Sequence, residues 1–359
     1  MNCKKVMVGM SGGVDSSVTA GLLLEQGYEV TGVTLKLWSE DPPAEWQGTH
    51  SCCSLDDVID ARRVADHLGI NHYVLNFKDI FKKRVVDYFT EEYLKGRTPN
   101  PCIACNRYIK FDGMLQKALA MGFDYVATGH YAKVEPPVET DGRFLLRRGD
   151  YSPKDQSYVL YNLTQFQLAH LLLPLGGYTK TQVRELAERM NLKVASKPDS
   201  QDICFVENND YAGFLERYAG VTPKQGNILN TEGEIIGQHK GFWNYTVGQR
   251  KGLGVAYGKP LYVVSVDPET NSVVLGEAGS EYMPGLTAKD LNWIAFDGLS
   301  ESIRVQTRIR YKGVFADSTV TPKGNKVKVV FDVPQRAVTP GQAAVFYKGD
   351  LVIGGGTII

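Results

Sequence analysis

Three cysteines and one glycine-rich turn are the residues whose spacing permits chemistry. The segment RTPNPCIACN holds Cys102 and Cys105 three positions apart behind two prolines, and SKPDSQDICF brings in Cys204, 99 positions after Cys105. Thiols at C-x-x-C spacing serve as a metal clip, a disulfide, a redox pair or the working end of an enzyme. Asn106 is read as opening a helix, which sets Cys105 at a helix N-terminus where the macrodipole favours a thiolate. Arg107 and Lys110 add positive charge, and Pro99 and Pro101 hold the approach extended.

The turn is GMSGGVDSS, residues Gly9 to Ser17. It follows the strand-like run KKVMV and opens an amphipathic helix, the place where a parallel α/β sheet puts its ligands. Within the candidate nucleotide-binding run Gly9, Met10, Ser11, Gly12, Gly13 and Val14, it is Ser11, Gly12 and Gly13 that let the backbone turn tightly and approach an anion, which the N–H groups near Ser16 then face. Asp15 is suited to hold Mg²⁺ carried in on a polyphosphate. The plainer alternative is a glycine turn in which Asp15 or Ser16 caps a helix. The chain has neither G-x-x-x-x-G-K-S/T nor G-x-G-x-x-G, which excludes a Walker loop and a dinucleotide fold.

The elements that position these residues change character along the chain. The first two hundred positions alternate strand and helix patterns. KKVMVGM, YEVTGVTLKLW, NHYVLNF and FDYVATGH are read as strands, and helices are expected between them, around QSYVLYNL and over TKTQVRELAERMN. This pattern predicts an α/β domain with a parallel sheet between helices over residues 1–205. Glycines and short alternating strands then take over, predicting a small β-rich central module over 206–275 and a C-terminal antiparallel β-barrel over 276–359.

Bulk properties narrow the class. The chain has 359 residues, 43% hydrophobic and 22% charged, with 40 basic against 40 acidic side chains and six cysteines. That is the composition of a globular protein of two or three domains. No apolar run reaches membrane-helix length, and the cysteines are too sparse for a secreted disulfide scaffold, so a cytoplasmic protein without membrane contact is expected. Neutral net charge removes a whole-molecule case for nucleic-acid binding and leaves only local basic patches. The candidates are Arg62-Arg63, Lys82-Lys83-Arg84, Arg147-Arg148 and the Arg308/Arg310/Lys312 cluster, each of which also reads as solvated surface.

S-G-G-V-D-S directly after a first strand resembles the PP-loop of the ATP-pyrophosphatase superfamily. Together with GRTPNPCIACN, GHYAKV, KDQSYVLY, SKPDSQDICF, TRIRYKG and VTPGQAAVFY, in this order from residue 4 to the C-terminus, it resembles the bacterial tRNA-specific 2-thiouridylases. The resemblance implies ATP, with Mg²⁺, bound in the Gly9–Ser16 loop and lined by Leu35 and Gly129. It implies adenylation of O2 of the wobble uridine of tRNA, at position 34. Cys204 then carries a persulfide loaded by a cysteine desulfurase or sulfur-relay protein. Either Cys105 attacks that persulfide and frees sulfide near C2, or the persulfide attacks C2 itself. The products are 2-thiouridine, AMP, pyrophosphate and a Cys105–Cys204 disulfide that a reductant reopens.

By the same resemblance, Asn100, His130, Lys154, Asp155, Gln156, Arg310, Tyr311 and Gln342 touch the tRNA or position its base, and the tRNAs are those for Lys, Glu and Gln. Gln156 and Gln342 suit base edges and Tyr311 an unstacked base. Many family members carry an aspartate, assigned an acid/base role, where this chain has Cys102. A thiol, with an ordinary pKa of about 8.5, does that work less well. An alternative gives Cys102, Cys105 and Cys204 to a 4Fe–4S cluster with one open iron. A zinc clip needs four ligands, and His50, Cys52 and Cys53 are the nearest reserve, read instead as shaping the loop before Leu55. Cys3 is read as a strand residue without chemistry.

Two other readings stand beside this one. Another PP-loop enzyme, such as an amide ligase or tRNA lysidine synthetase, has no use for paired thiols. A non-catalytic ATP or RNA sensor with a cysteine redox switch would not turn ATP into AMP and pyrophosphate.

Overall fold

The computed structural model describes residues 3–38, 55–139, 142–197, 203–206, 208 and 210–359. His50, Cys52 and Cys53, the zinc reserve, lie outside them, as does most of the stretch just before Cys204. Strands β1 (Lys5–Gly9), β2 (Glu29–Lys36), β3 (Asn71–Asn76) and β4 (Tyr125–Ala127) form a parallel sheet. A hairpin, β5 (Ala132–Glu135) and β6 (Leu145–Arg148), separates β4 from β7 (Leu171–Leu172), which completes the sheet in the order β3-β2-β1-β4-β7. Val6, Met7 and Val8 are fully buried, as a strand covered by helices on both faces requires.

Helix α1 (Val14–Glu25) follows β1 and α2 (Leu55–Leu68) follows β2. After β3, α3 (Lys78–Phe81) passes through a π-helical stretch, Lys82–Val86, into α4 (Asp87–Leu94). A second such helix, α5 (Pro101–Cys105), runs through π-turns at Asn106–Gly113 into α6 (Met114–Ala120), which leads to β4. The strand order reverses between β1 and β4, and a crevice outside the carboxyl ends of those two strands is the ligand position of such sheets. The helix expected over QSYVLYNL is only a 3₁₀ turn, Ser157–Leu160. Ser157 to Leu160 are all buried, so the apolar run there reflects enclosure on all sides and not an amphipathic helix.

Short α7 (Gln165–Ala169) and α8 (Lys180–Arg189) close the α/β half. The stretch read as purely β then begins with a helix, α9 (Tyr211–Ala219), capped by the Asp210 side chain and ended by left-handed Gly220. Its Phe214 and Tyr218 pack on Trp38, and Phe214 also on Phe89 and Phe205. A four-stranded sheet follows, ordered β10-β11-β8-β9, from β8 (Gly226–Leu229), β9 (Ile235–His239), β10 (Leu261–Asp267) and β11 (Ser272–Glu277).

The last unit is a barrel of β12 (Tyr282–Trp293), β13 (Ile303–Arg308), β14 (Ala316–Lys323), β15 (Lys326–Arg336), β16 (Ala343–Lys348) and β17 (Leu351–Ile358). Pairing of β12 with both β15 and β17 closes it. Its sheet then continues into the α/β half, because β17 pairs with β6 at Leu351 and Arg147. Arg147 bonds Glu135 at 2.6 Å and Asp350 at 2.8 Å, fastening the hairpin to the barrel. No helix among the described residues is long and apolar enough to cross a membrane.

Candidate active site

The phosphate-type loop is braced from inside. Met10 N–H donates to Val33 at 2.8 Å, Ser11 N–H donates to the Ser16 hydroxyl at 3.2 Å, and the Ser16 and Ser17 hydroxyls donate to the Gly13 carbonyl. Gly13 is the N-cap of α1 and no side chain caps the helix. Neither Asp15 nor Ser16 plays the capping part, so the first-turn N–H groups remain for an anion. Gly12 has φ +71°, and a Cβ there would lie 2.4 Å from the Asp57 carbonyl. A Cβ on Gly129, just past β4, would fall 2.9 Å from Ser16 N, so glycine alone lets that segment lie across the start of α1. Leu35, paired in register with Leu75, lies at the same carboxyl edge of the sheet. The Asp15 carboxylate accepts from Tyr131 Oη at 2.6 Å and from Lys180 Nζ at 2.8 and 2.9 Å.

The cysteine helix begins earlier than the sequence suggests. Asn100 Oδ1 accepts from Cys102 N at 3.0 Å and Ile103 N at 3.3 Å, and Pro101 fills the first turn. Cys102 therefore occupies that turn and Cys105 the next. Asn106 is buried and donates to the Val159 carbonyl at 3.0 Å, binding the helix to the 3₁₀ turn. Cys102 is accessible and Cys105 buried, while Cys204 is half-buried; all three are thiols. Protein packed around Cys102 pushes its thiol above the usual range, opposed by Lys110. Phe205, next to Cys204, inserts between Phe81, Phe89 and Phe214 at centroid distances of 5.3–5.8 Å. Among the described residues no three His, Cys, Asp or Glu side chains converge as metal ligands.

The barrel meets this helix along a seam. Thr98, on the approach to the cysteines, donates to the Pro340 carbonyl at 2.8 Å and accepts from Gln342 Nε2 at 2.8 Å. Burial is the main cause raising the Tyr311 phenol, with the Asp155 carboxylate adding to it. Gln156 exchanges hydrogen bonds with the Tyr131 backbone, accepting at 3.0 Å and donating at 2.9 Å. His130 bonds Thr128 at 2.7 Å, and burial, aided by Lys110, holds its ring far below the ordinary imidazole value. Lys154 is half-buried, and Arg310 donates to the Ala337 carbonyl at 2.6 Å.

Two expected surface groups turn inward. Asp155 is buried and accepts from Arg308 at 3.2 Å, Ser157 N at 3.0 Å and Ser157 Oγ at 3.1 Å, with Arg148 at 3.6 Å. Of the basic patches proposed, Arg148 and Arg308 are therefore internal ties, held by Asp155 and the Phe315 ring, while Arg147 is paired with Glu135 and Asp350 at the surface. Sequence reasoning missed Lys180, Tyr131 and Thr98. For Lys180 a signal existed, since T-K-T-Q is the capping-box pattern that sets it at the first helical position.

Three family models match the chain in succession: the tRNA methyl transferase HUP domain over residues 4–208, the tRNA methyl transferase PRC-barrel domain over 212–277, and the aminomethyltransferase beta-barrel domain over 283–358. The tRNA-specific 2-thiouridylase MnmA of Carboxydothermus hydrogenoformans is 60% identical over 358 residues, spanning 99% of this chain and 97% of that protein. The chain belongs to the tRNA-specific 2-thiouridylase family. The thiouridylase of Acetivibrio thermocellus is 57% identical over the full length of both proteins, and that of Clostridioides difficile 53% over 356 residues, spanning 99% of this chain and 98% of the relative. In this thiouridylase, helix 101–120 runs down to the start of β4, so its cysteine end and the phosphate loop share the carboxyl edge of the sheet.

Proposed function

We propose that this protein thiolates the wobble uridine of tRNA at C2, spending ATP to AMP and pyrophosphate. The observation that carries the reading is the shared edge: the uncapped start of α1 and the cysteine end of the 101–120 helix lie on the carboxyl side of one parallel sheet. ATP binds the Gly9–Ser16 loop between Leu35 and Gly129, with Mg²⁺ at Asp15, and uridine O2 attacks the α-phosphorus to release pyrophosphate. Adenylation converts a poor oxide leaving group into a good one.

Cys204 carries the incoming sulfur as a persulfide supplied by a cysteine desulfurase or relay protein. Attack of the Cys105 thiolate on the Cys204 sulfur reduces the outer sulfur atom to sulfide. That sulfide adds at C2 and AMP departs, leaving a Cys105–Cys204 disulfide for an external thiol to reduce. The direct alternative, attack of the persulfide on C2 followed by Cys105, reaches the same products. Cys102, in the first turn of the cysteine helix, stands where the acid/base role would fall. Asn100, spent in part on the helix cap, and His130, Lys154, Gln156, Arg310, Tyr311 and Gln342 line or brace the RNA side, with tRNAs for Lys, Glu and Gln as substrates. Asp155 contributes from beneath, by holding the seam.

Single-turnover thiolation of an unmodified transcript with ATP and free sulfide tests this, because sulfide bypasses persulfide loading. On this scheme sulfide is expected to restore both Cys204→Ser and Cys105→Ser; rescue of Cys204→Ser alone would give Cys105 a further role at the uridine. Wild-type protein that makes no AMP in the presence of tRNA would sink the reading.

A further inference from the structure

The connection from α4 to the cysteine helix, residues 95–100, is where all three units of the chain meet. Gly96, just past α4, has φ +69°, and a Cβ there would lie 3.0 Å from Pro268 Cδ and 3.3 Å from the Val266 carbonyl, both of the central module. Two residues on, Thr98 N–H donates to the Pro340 carbonyl and Gln342 Nε2 donates to the Thr98 carbonyl, each at 2.8 Å. The barrel loop thus engages both backbone groups of one residue. Gly341 lies between these two contacts with φ +91°, and a Cβ there would stand 3.0 Å from Thr98 N. The loop is itself fixed, because Gly341 N–H donates to the Ile358 carbonyl at 2.9 Å and Ile358 N–H to the Gln342 carbonyl at 2.8 Å.

The backbone beyond Thr98 is too stiff to absorb a displacement. Pro99 and Pro101 fix their own φ, and the residues before them, Thr98 and Asn100, are confined to extended conformations. Asn100 sits at φ −105° and ψ 102° and caps the helix with its side chain. A shift at Thr98 is therefore passed to Cys102, four residues on, with few free rotations between. We infer that Gln342 is a positioning residue for the paired thiols. It fastens the 96–100 strap to the barrel and so sets where Cys102 and Cys105 stand. A side chain suited by type to a base edge works here inside the protein. The chemical purpose of the clamp rests on the thiolation reading; its existence does not, since every contact in it belongs to the free protein.

Peptide-resolved hydrogen exchange and iodoacetamide labelling of the full chain, without ATP or tRNA, test the clamp. Gln342→Met keeps the length of the side chain and removes the donor. Exchange over residues 102–106 and labelling of the buried Cys105 are each expected to rise about fivefold, the factor set by one net hydrogen bond, while β16 and β17 keep their protection. Gln342→Lys, which restores a donor, recovers part of the protection. In single-turnover thiolation from persulfide-loaded protein, Gln342→Met is expected to slow transfer by about tenfold, as misplaced reacting groups do, with the tRNA Kd unchanged within about twofold. Weaker tRNA binding with unchanged exchange makes Gln342 an RNA contact and overturns the clamp, as does exchange unchanged throughout. A rise spread equally over β16 and β17 makes the bond one of barrel stability alone, which also overturns it. Wild-type protein that transfers no sulfur to tRNA would instead remove the thiolation reading, and exchange and labelling would still decide the clamp.

Discussion

The loop before α1 and the seam between the α/β half and the barrel are both dense in polar groups, and they direct them in opposite senses. At the loop, serine hydroxyls satisfy the backbone from within, and the helix N–H groups are left facing outward. At the seam, Asp155 is surrounded by Arg308, Arg148 and Ser157, with the Phe315 ring 4.9 Å from the Arg308 guanidinium. A polar cluster whose members satisfy one another is architecture. One that leaves strong donors uncapped is prepared for a ligand.

The largest test of this contrast is Arg308→Met. Removing one partner of a buried ion pair costs about 3–5 kcal/mol, because the remaining charge stays enclosed. Denaturant unfolding is expected to show that loss even without tRNA. If stability is unchanged while tRNA binding falls, the seam is a binding surface after all. Gly12→Ala comes next, at about 1–3 kcal/mol for forcing a left-handed backbone on a residue with a Cβ. Here the collision is with the Asp57 backbone, and calorimetry should show ATP affinity falling as well. A destabilised variant with full ATP affinity would show that the loop is scaffold.

His130 sharpens the comparison through pH. Its folded ring stays neutral, whereas the unfolded chain takes up a proton near pH 6.5, roughly the ordinary value. Stability is complete above that pH and is lost as pH falls below it. Thermal scans between about pH 7 and 5 should fall more steeply for the wild type than for His130→Gln; parallel curves would place the proton uptake elsewhere. The smallest effect is expected at Arg304, whose ion pair with Asp332 is exposed on both sides. Arg304→Ala should leave the melting temperature and tRNA affinity unchanged, in contrast with Arg308 four residues along the same strand.

These contrasts mark what the sequence could reveal. The parallel strands were legible because each is a short apolar run stopped by glycine or polar residues, and the loop because its small residues follow the first strand directly. Arg308 was illegible: beside Arg310 and Lys312 it reads as basic surface, and its partner Asp155 comes from the other half of the chain. The start of the cysteine helix is written in Asn100-Pro101, a cap followed by a helix-starting proline, whereas a start at Asn106 falls five residues too late. The π-turned stretches and the 3₁₀ turn at Ser157 answer to enclosure, which no local period records.

The hairpin at 132–148 carries a consequence for how the chain reaches its native state. Arg147 must find Asp350, 203 positions away, before the barrel sheet and the hairpin share an edge. Closing a loop of that size is entropically costly and slow. The two halves therefore cannot mature strictly in succession. Amide protection at β6 and β17 should be among the last acquired on refolding, and a fragment ending before residue 350 should leave the hairpin's outer edge exposed to unwanted strand pairing.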